Sequence, residues 1–174
     1  MTIPQETMQE LFITGLTNAH AVEKQALSII TPQVERIENY PEVADRLRLH
    51  IDETNQQIQR LDEILATFGT SSSGLKDTVL SMSGGMAAVA HSVAGDEIIK
   101  NSFANYAFEH FEIAAYKSLL VMAEDGGFAQ FTPLLKQSLG EEEAMAQWLE
   151  DALPMVTRRY ATLYAEGGSS AAKV

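Results

Sequence analysis

Glu142 stands in the middle of an apolar helical stripe, a position where a lone carboxylate is not tolerated. On a wheel that advances roughly 100° per residue, Phe128, Phe131, Leu135, Leu139, Ala146, Leu149 and Leu153 gather on one side, with Glu142 among them. The intrusion recurs twice. Glu23 falls within the stripe Met8, Phe12, Leu16, Ala19, Ala26 and Ile30, and Glu109 within Ile99, Tyr106, Ile113, Tyr116 and Leu120. A buried carboxylate without a partner either costs several kcal/mol or takes up a proton. Acids that converge on one core from several helices therefore need a common partner. A metal ion is the simplest, and a proton-sharing or ion-paired core is the alternative.

The punctuation of the chain divides it into long helices. Pro4 suits a first helical turn, and the pattern it opens runs through Ile30 and past a kink at Pro32 to Val34 and Ile37. Asn39-Tyr40-Pro41 is a turn that starts a second helix, with Val43, Leu47, Thr54, Ile58, Leu61, Leu65 and Phe68 as its stripe and Gly69 as its stop. Gly69 to Ala94, rich in Ser, Gly, Ala and Met, reads as a long crossover containing a short helix. Gly95-Asp96-Glu97 opens a third helix that stops at Asp125-Gly126-Gly127. A fourth runs from about Phe128 to Ala152, and Pro154 is expected to begin a short C-terminal helix through Tyr164.

Connection lengths then set the topology. The first two helices and the last two long ones are joined by short turns and must form antiparallel hairpins, whereas about 25 residues separate the hairpins. One long crossover between two hairpins predicts an all-α, ferritin-like four-helix bundle. Glu23 and Glu53 are 30 residues apart and Glu109 and Glu142 are 33 apart, which puts them at similar heights in the two hairpins. Bundles of this type build dimetal sites from inward-facing acids and Glu-x-x-His pairs. A chain of 174 residues, 45% hydrophobic, is expected to form one domain over residues 1–166, with 167–174 a disordered tail.

Composition excludes several chemistries. There is no cysteine, so disulfides, iron–sulfur clusters and thiolate zinc sites are ruled out, and any metal is held by oxygen and nitrogen. A formal net charge of -12 without a Lys/Arg cluster argues against a nucleic-acid partner. No apolar run of about 18 residues offers a membrane span, and Met1 to Glu10 does not read as a signal peptide. The expected location is the cytoplasm.

Several segments resemble the YciE/YciF family of bacterial stress-associated proteins, with the likeness closer to the YciE branch. They are Ala19 to Gln25, Asn39-Tyr40-Pro41-Glu42, His50 to Thr54 with Gln57, Phe108 to Tyr116, and Glu141-Glu142 with Met145, Ala146, Trp148 and Leu149. The resemblance covers the four long helices and implies the ferritin-like fold and a homodimer. It implies no particular reaction.

Against a rubrerythrin-like pattern, two imidazoles are missing. Glu53-Thr54-Asn55-Gln56 and Glu142-Glu143-Ala144-Met145 stand where Glu-x-x-His would be, while Glu109-His110-Phe111-Glu112 resembles the Glu-x-x-Glu of those proteins. Nitrogen would have to come from His50, one turn before Glu53 and nearer the centre of its stripe, or from His110. The candidate metal ligands are thus Glu23, Glu53, Glu109, Glu112, Glu142 and His50, for two divalent ions. Such a thiolate-free pocket suits Fe(II) or Mn(II), with zinc as a substitute, and suits reaction with peroxide or oxygen. The other reading is a non-enzymatic, dimeric stress-response or binding protein whose site is vestigial and holds no metal. Glu141 and Glu143 flank their stripe and are expected to face solvent.

Overall fold

The computed structural model describes residues 3–70 and 96–167, and these form four long helices, α1 (Gln5–Arg36), α2 (Pro41–Thr67), α3 (Glu97–Asp125) and α4 (Thr132–Ala165). The expected crossover helix, His91 and the tail from residue 168 lie outside the described residues. α1 begins directly after Pro4, and α2 opens with Pro41 at a position where a helix has no use for the missing N–H. α2 and α3 end alike. Gly69 and Gly127 adopt left-handed φ values of 69° and 77°, the N–H of Thr70 reaches back to the Leu65 carbonyl at 3.3 Å, and that of Phe128 to Ala123 at 2.7 Å. Gly126 is needed for a different reason: a Cβ there would lie 2.6 Å from the Phe128 ring and 2.8 Å from the Met122 carbonyl.

One expected boundary is not observed. The break at Pro154 does not occur, because α4 continues through it to Ala165, after a single 3-10 turn at Ala129–Phe131. The carbonyl that Pro154 leaves without a donor belongs to Glu150, which is exposed, so water can satisfy it. Beyond the proline, Met155, Val156, Tyr160 and Leu163 pack on the core and hold the helix on course. Pro32 sits inside α1 in the same manner, four residues after exposed Ser28.

The hairpins are antiparallel pairs, with α1 packed on α2 and α3 on α4, and α1 also lies along α3. Arg36 Nη2 meets Glu97 Oε1 at 2.7 Å, so α3 starts beside the end of α1. At the opposite end, Phe12 of α1 stacks on Phe128 after α3 (centroids 5.1 Å apart), and Phe68 after α2 meets both edge-on. α2 and α3 consequently run in the same direction. That is the ferritin-like threading.

Two apolar clusters fill the interior. Towards the Tyr40 end lie Val22, Ala26, Ile30, Tyr40, Leu47, Phe108, Met145 and Leu149; towards the Phe12 end lie Phe12, Leu16, Leu61, Leu65, Tyr116, Leu119 and Leu135. Along every helix buried polar side chains stand between these clusters: Glu23 on α1, His50, Thr54 and Gln57 on α2, Glu109 and Glu112 on α3, Ser138 and Glu142 on α4. The fold thus sandwiches one polar layer between two greasy ones.

Candidate metal centre

The polar layer brings His50, Glu109, Glu112 and Glu142 together so that one donor atom from each lies within 4.8 Å of all the others. All four side chains are buried, with Glu109, Glu142 and His50 at 0% exposure. Three helices supply them. Glu109 and Glu112 share a face of α3 because residues three apart are neighbours on a helix, while His50 and Glu142 project from α2 and α4. α3 packs against both α1 and α4, which widens its buried face enough to take in Glu112 as well as Glu109.

Among the described residues, both oxygens of Glu109, Glu112 and Glu142, Oε2 of Glu23 and Nε2 of His50 are buried without a hydrogen bond. Unsatisfied buried polar groups are rare in native interiors, and a cluster of carboxylates in this state is the arrangement a cation relieves. A hard or borderline divalent ion fits the donor set of three carboxylates and one imidazole.

Electrostatics agree with that reading. Burial, reinforced by the charges of Glu23 and its neighbours, pushes the Glu112 and Glu142 carboxyls well above the usual range. Burial likewise raises Glu23 to about 8, even though the Tyr116 hydroxyl donates to its Oε1 at 2.5 Å. Burial alone would lower His50, but the carboxylates of Glu109 and Glu53 outweigh it and push the imidazole up to about 9. His50 Nε2 lies 3.3 Å from Glu109 Oε2 and 3.7 Å from Glu142 Oε2.

Glu23 and Glu53, expected as ligands, are placed differently from the four. Glu23 borders the group from α1, its charge felt by both Glu112 and Glu142, but it is not among the four clustered donors. Glu53 turns towards the rim. Its Oε2 accepts from Arg46 Nη1 at 2.9 Å and contacts His50 Nδ1 at 3.0 Å, and the two cationic partners hold its carboxyl below the ordinary range despite partial burial. His50 and Glu53 are three positions apart, roughly 60° on the wheel, and with Arg46 drawing Glu53 to the rim only one of the two points at the centre. The imidazole does, and Glu53 orients it from behind, as carboxylates commonly do for metal-binding histidines. His110 is exposed and lines a surface groove with Lys117, Glu143 and Glu150.

Other buried polar contacts were not legible in advance. Glu141 does not face solvent as expected. Arg60 on α2, itself buried, grips it with Nη1 and Nη2, both at 2.7 Å, and also donates to Ser138 at 2.9 Å. Gln57 Nε2 donates to the same Glu141 carboxylate at 3.1 Å. Gln33 and Asn105 exchange a pair of amide hydrogen bonds between α1 and α3 at 3.2 and 2.9 Å. Tyr116 packs in the apolar cluster of the Phe12 end, and its hydroxyl donates to Glu23 as well.

The sequence profile of the family described as "Domain of unknown function (DUF892)" matches residues 7–162. The chain belongs to this family. Among curated relatives, Protein YciF of Escherichia coli K12 is 28% identical over 146 residues, spanning 80% of this chain and 86% of its own. A solved protein of Xanthomonas campestris superposes with a TM-score of 0.75 at 28% identity, covering 92% of this chain and 99% of that one. The crystal structure described as the E. coli stress protein YciF gives a TM-score of 0.67 at 23% identity, over 84% and 94% of the two chains. The YciE/YciF-like resemblance and the all-α bundle are thereby established. No helix of the described residues is long and apolar enough to cross a membrane.

Proposed function

We propose that this chain is a cytoplasmic, homodimeric stress-response protein that holds divalent Fe or Mn in the polar layer of its bundle and reacts there with peroxide or oxygen. The buried carboxylate oxygens of Glu109, Glu112 and Glu142, which have no hydrogen-bond partner among the described residues, carry this reading. His50, Glu109, Glu112 and Glu142 would hold the ion, with Glu23 beside them. When bound, a redox-active ion supplies a Lewis acid that can exchange electrons with a small oxidant. The protein's own part is to keep bulk water out with the two apolar clusters and to fix the His50 ring through Glu53 and Arg46. Fe(II)-loaded protein should consume hydrogen peroxide faster than the same Fe(II) in buffer, and Glu142→Gln should lose that excess. Equal consumption by the two samples counts against the reaction.

An apolar groove between α1 and α3, lined by Gly15, Ala19, Phe111, Ala115 and Met122, with Phe111 45% exposed, supports the homodimer. Light scattering should find two chains, and Phe111→Asp should give one.

A second reading has an observation of its own. An imidazolium at His50 facing Glu109, with protons on Glu112 and Glu142, would balance the layer's charge without metal, as in a vestigial site. In that state a protonated Glu142 would donate to the Glu109 carboxylate, whereas a cation would be shared by donors of all four residues, and metal content separates the two readings.

A further inference from the structure

Beside the polar layer, at the edge of the Tyr40-end cluster, α1 and α3 do not close completely. A cavity of about 10 Å³ remains between them, lined by Ala26, Ile29 and Ile30 on α1 and by Asn105, Phe108 and Glu109 on α3. That is the space of one water-sized molecule. Ile29 alone of the six is partly exposed, so solvent meets the cavity there. The two larger surface grooves, at His110 and at Phe111, are lined by none of the four clustered donors, whereas this cavity has Glu109 in its wall. The Glu109 side chain is fully buried, and neither of its oxygens has a hydrogen bond among the described residues.

The chemistry of the walls selects the occupant. A buried water needs two to four polar partners, and Glu109 is the one group here with acceptors to spare. Asn105 has its amide turned to Gln33, with which it exchanges hydrogen bonds at 2.9 and 3.2 Å, and the other walls are hydrocarbon. Hydrogen peroxide leaves its hydrogen bonds to water behind on entry, and burying an O–H without an acceptor is costly. Dioxygen has none to lose, is only slightly longer than a water, and gains contact with hydrocarbon; dry apolar cavities take up xenon for the same reason. We propose that the α1–α3 seam holds a seat for one molecule of dioxygen against Glu109, and that, resting on the metal-centre reading above, this seat supplies the oxidant to the ion. Of the two oxidants that reading names, the seat favours dioxygen. Ala26 sets its size, and Ile29 controls entry.

The test takes the metal-stripped full chain, equilibrates it with dissolved dioxygen under pressure, and reads the paramagnetic shifts of its methyl carbons by nuclear magnetic resonance. The methyl groups of Ala26 and Ile30 should shift more than those of Leu16, Leu61 and Leu65, which are as deeply buried in the other cluster. Ala26→Val fills the space and should remove the excess at Ile30, while Ile29→Ala widens the entrance and should keep the excess at both positions. Equal shifts in the two sets of methyl groups overturn the seat, and so does an excess that Ala26→Val leaves in place. Supply is read as dioxygen consumption with bound Fe(II) as the electron source. Ala26→Val should slow it by at least about fivefold, the scale on which added methyl groups in a filled space are felt, and Ile29→Ala should speed it, with Fe(II) affinity unchanged in both. Opposite changes are not what a general packing defect produces. Rates unmoved by both substitutions overturn the supply role. Fe(II)-loaded wild type that consumes no dioxygen counts against the metal-centre reaction and overturns the supply role with it, while the shifts of the metal-free chain still decide the seat.

Discussion

Glu23 makes the metal-free protein a poor fit for alkaline pH. Its carboxyl has an ordinary value of 4.5 when the chain is unfolded and about 8 when it is folded, so the folded state binds this proton more tightly and stability is greatest below pH 4.5. It is then lost as pH rises through 8. A shift of about 3.5 units at about 1.4 kcal/mol each is worth on the order of 5 kcal/mol over the window, and most of it falls between pH 5 and 8. His50, raised to about 9, acts with the same sign above pH 6.5. Glu53 acts with the opposite sign, because its carboxyl is held low, but only below its ordinary value of 4.5. Urea unfolding of chelator-treated protein at pH 5, 6, 7 and 8 should therefore show falling stability, and Glu23→Gln should remove several kcal/mol of that fall. Added Mn(II) should reverse the trend, since ligands bind metal in their ionised forms and bound metal stabilises the folded state. Metal-free stability that is flat or rising over this range, or a fall that Glu23→Gln does not change, would refute the reasoning.

Glu142→Gln should raise the metal-free protein's stability by about 1–3 kcal/mol at pH 8, with little gain at pH 5, because it removes a buried charge that accepts no hydrogen bond among the described residues and has only the His50 ring 3.7 Å away; chemical denaturation at the two pH values checks this. Arg60→Met should cost about 2–3 kcal/mol in the same assay by stranding Glu141, a buried-pair loss discounted for the carboxylate's 19% exposure. Phe12→Ala, at a fully buried ring stacked on Phe128, should cost about 3–5 kcal/mol and lower the thermal midpoint accordingly. Gly126→Ala should cost about 1–3 kcal/mol because Phe128 and the Met122 carbonyl crowd the new methyl group.

The fold was legible because its boundaries are written in local chemistry. Pro41, Gly69, Asp96 and Gly126-Gly127 each mark a helix end for a reason internal to the backbone. Pro154 has the same local signature and does not end a helix, since the cost of a proline depends on whether water reaches the orphaned carbonyl and whether the next turns are buried. Both are tertiary facts. Periodicity also placed Glu109, Glu142 and His50 correctly on inward faces, but it reports faces and not partners. Arg60 and Glu141 are 81 residues apart on different helices, and Tyr116 lies 93 residues from Glu23. Nothing along the chain announces such pairs. Glu53 shows the limit most clearly: its spacing from Glu23 matches a ligand, and the adjacent Arg46 and His50 decide where it turns.

The most direct test of the central claim is metal content by mass spectrometry on protein expressed with added iron or manganese and purified without affinity tag or chelator. The account predicts about two ions per chain, as in dimetal carboxylate bundles, falling to near none in Glu142→Ala. A folded chain that comes out metal-free and takes up no added Fe(II) or Mn(II) would contradict it.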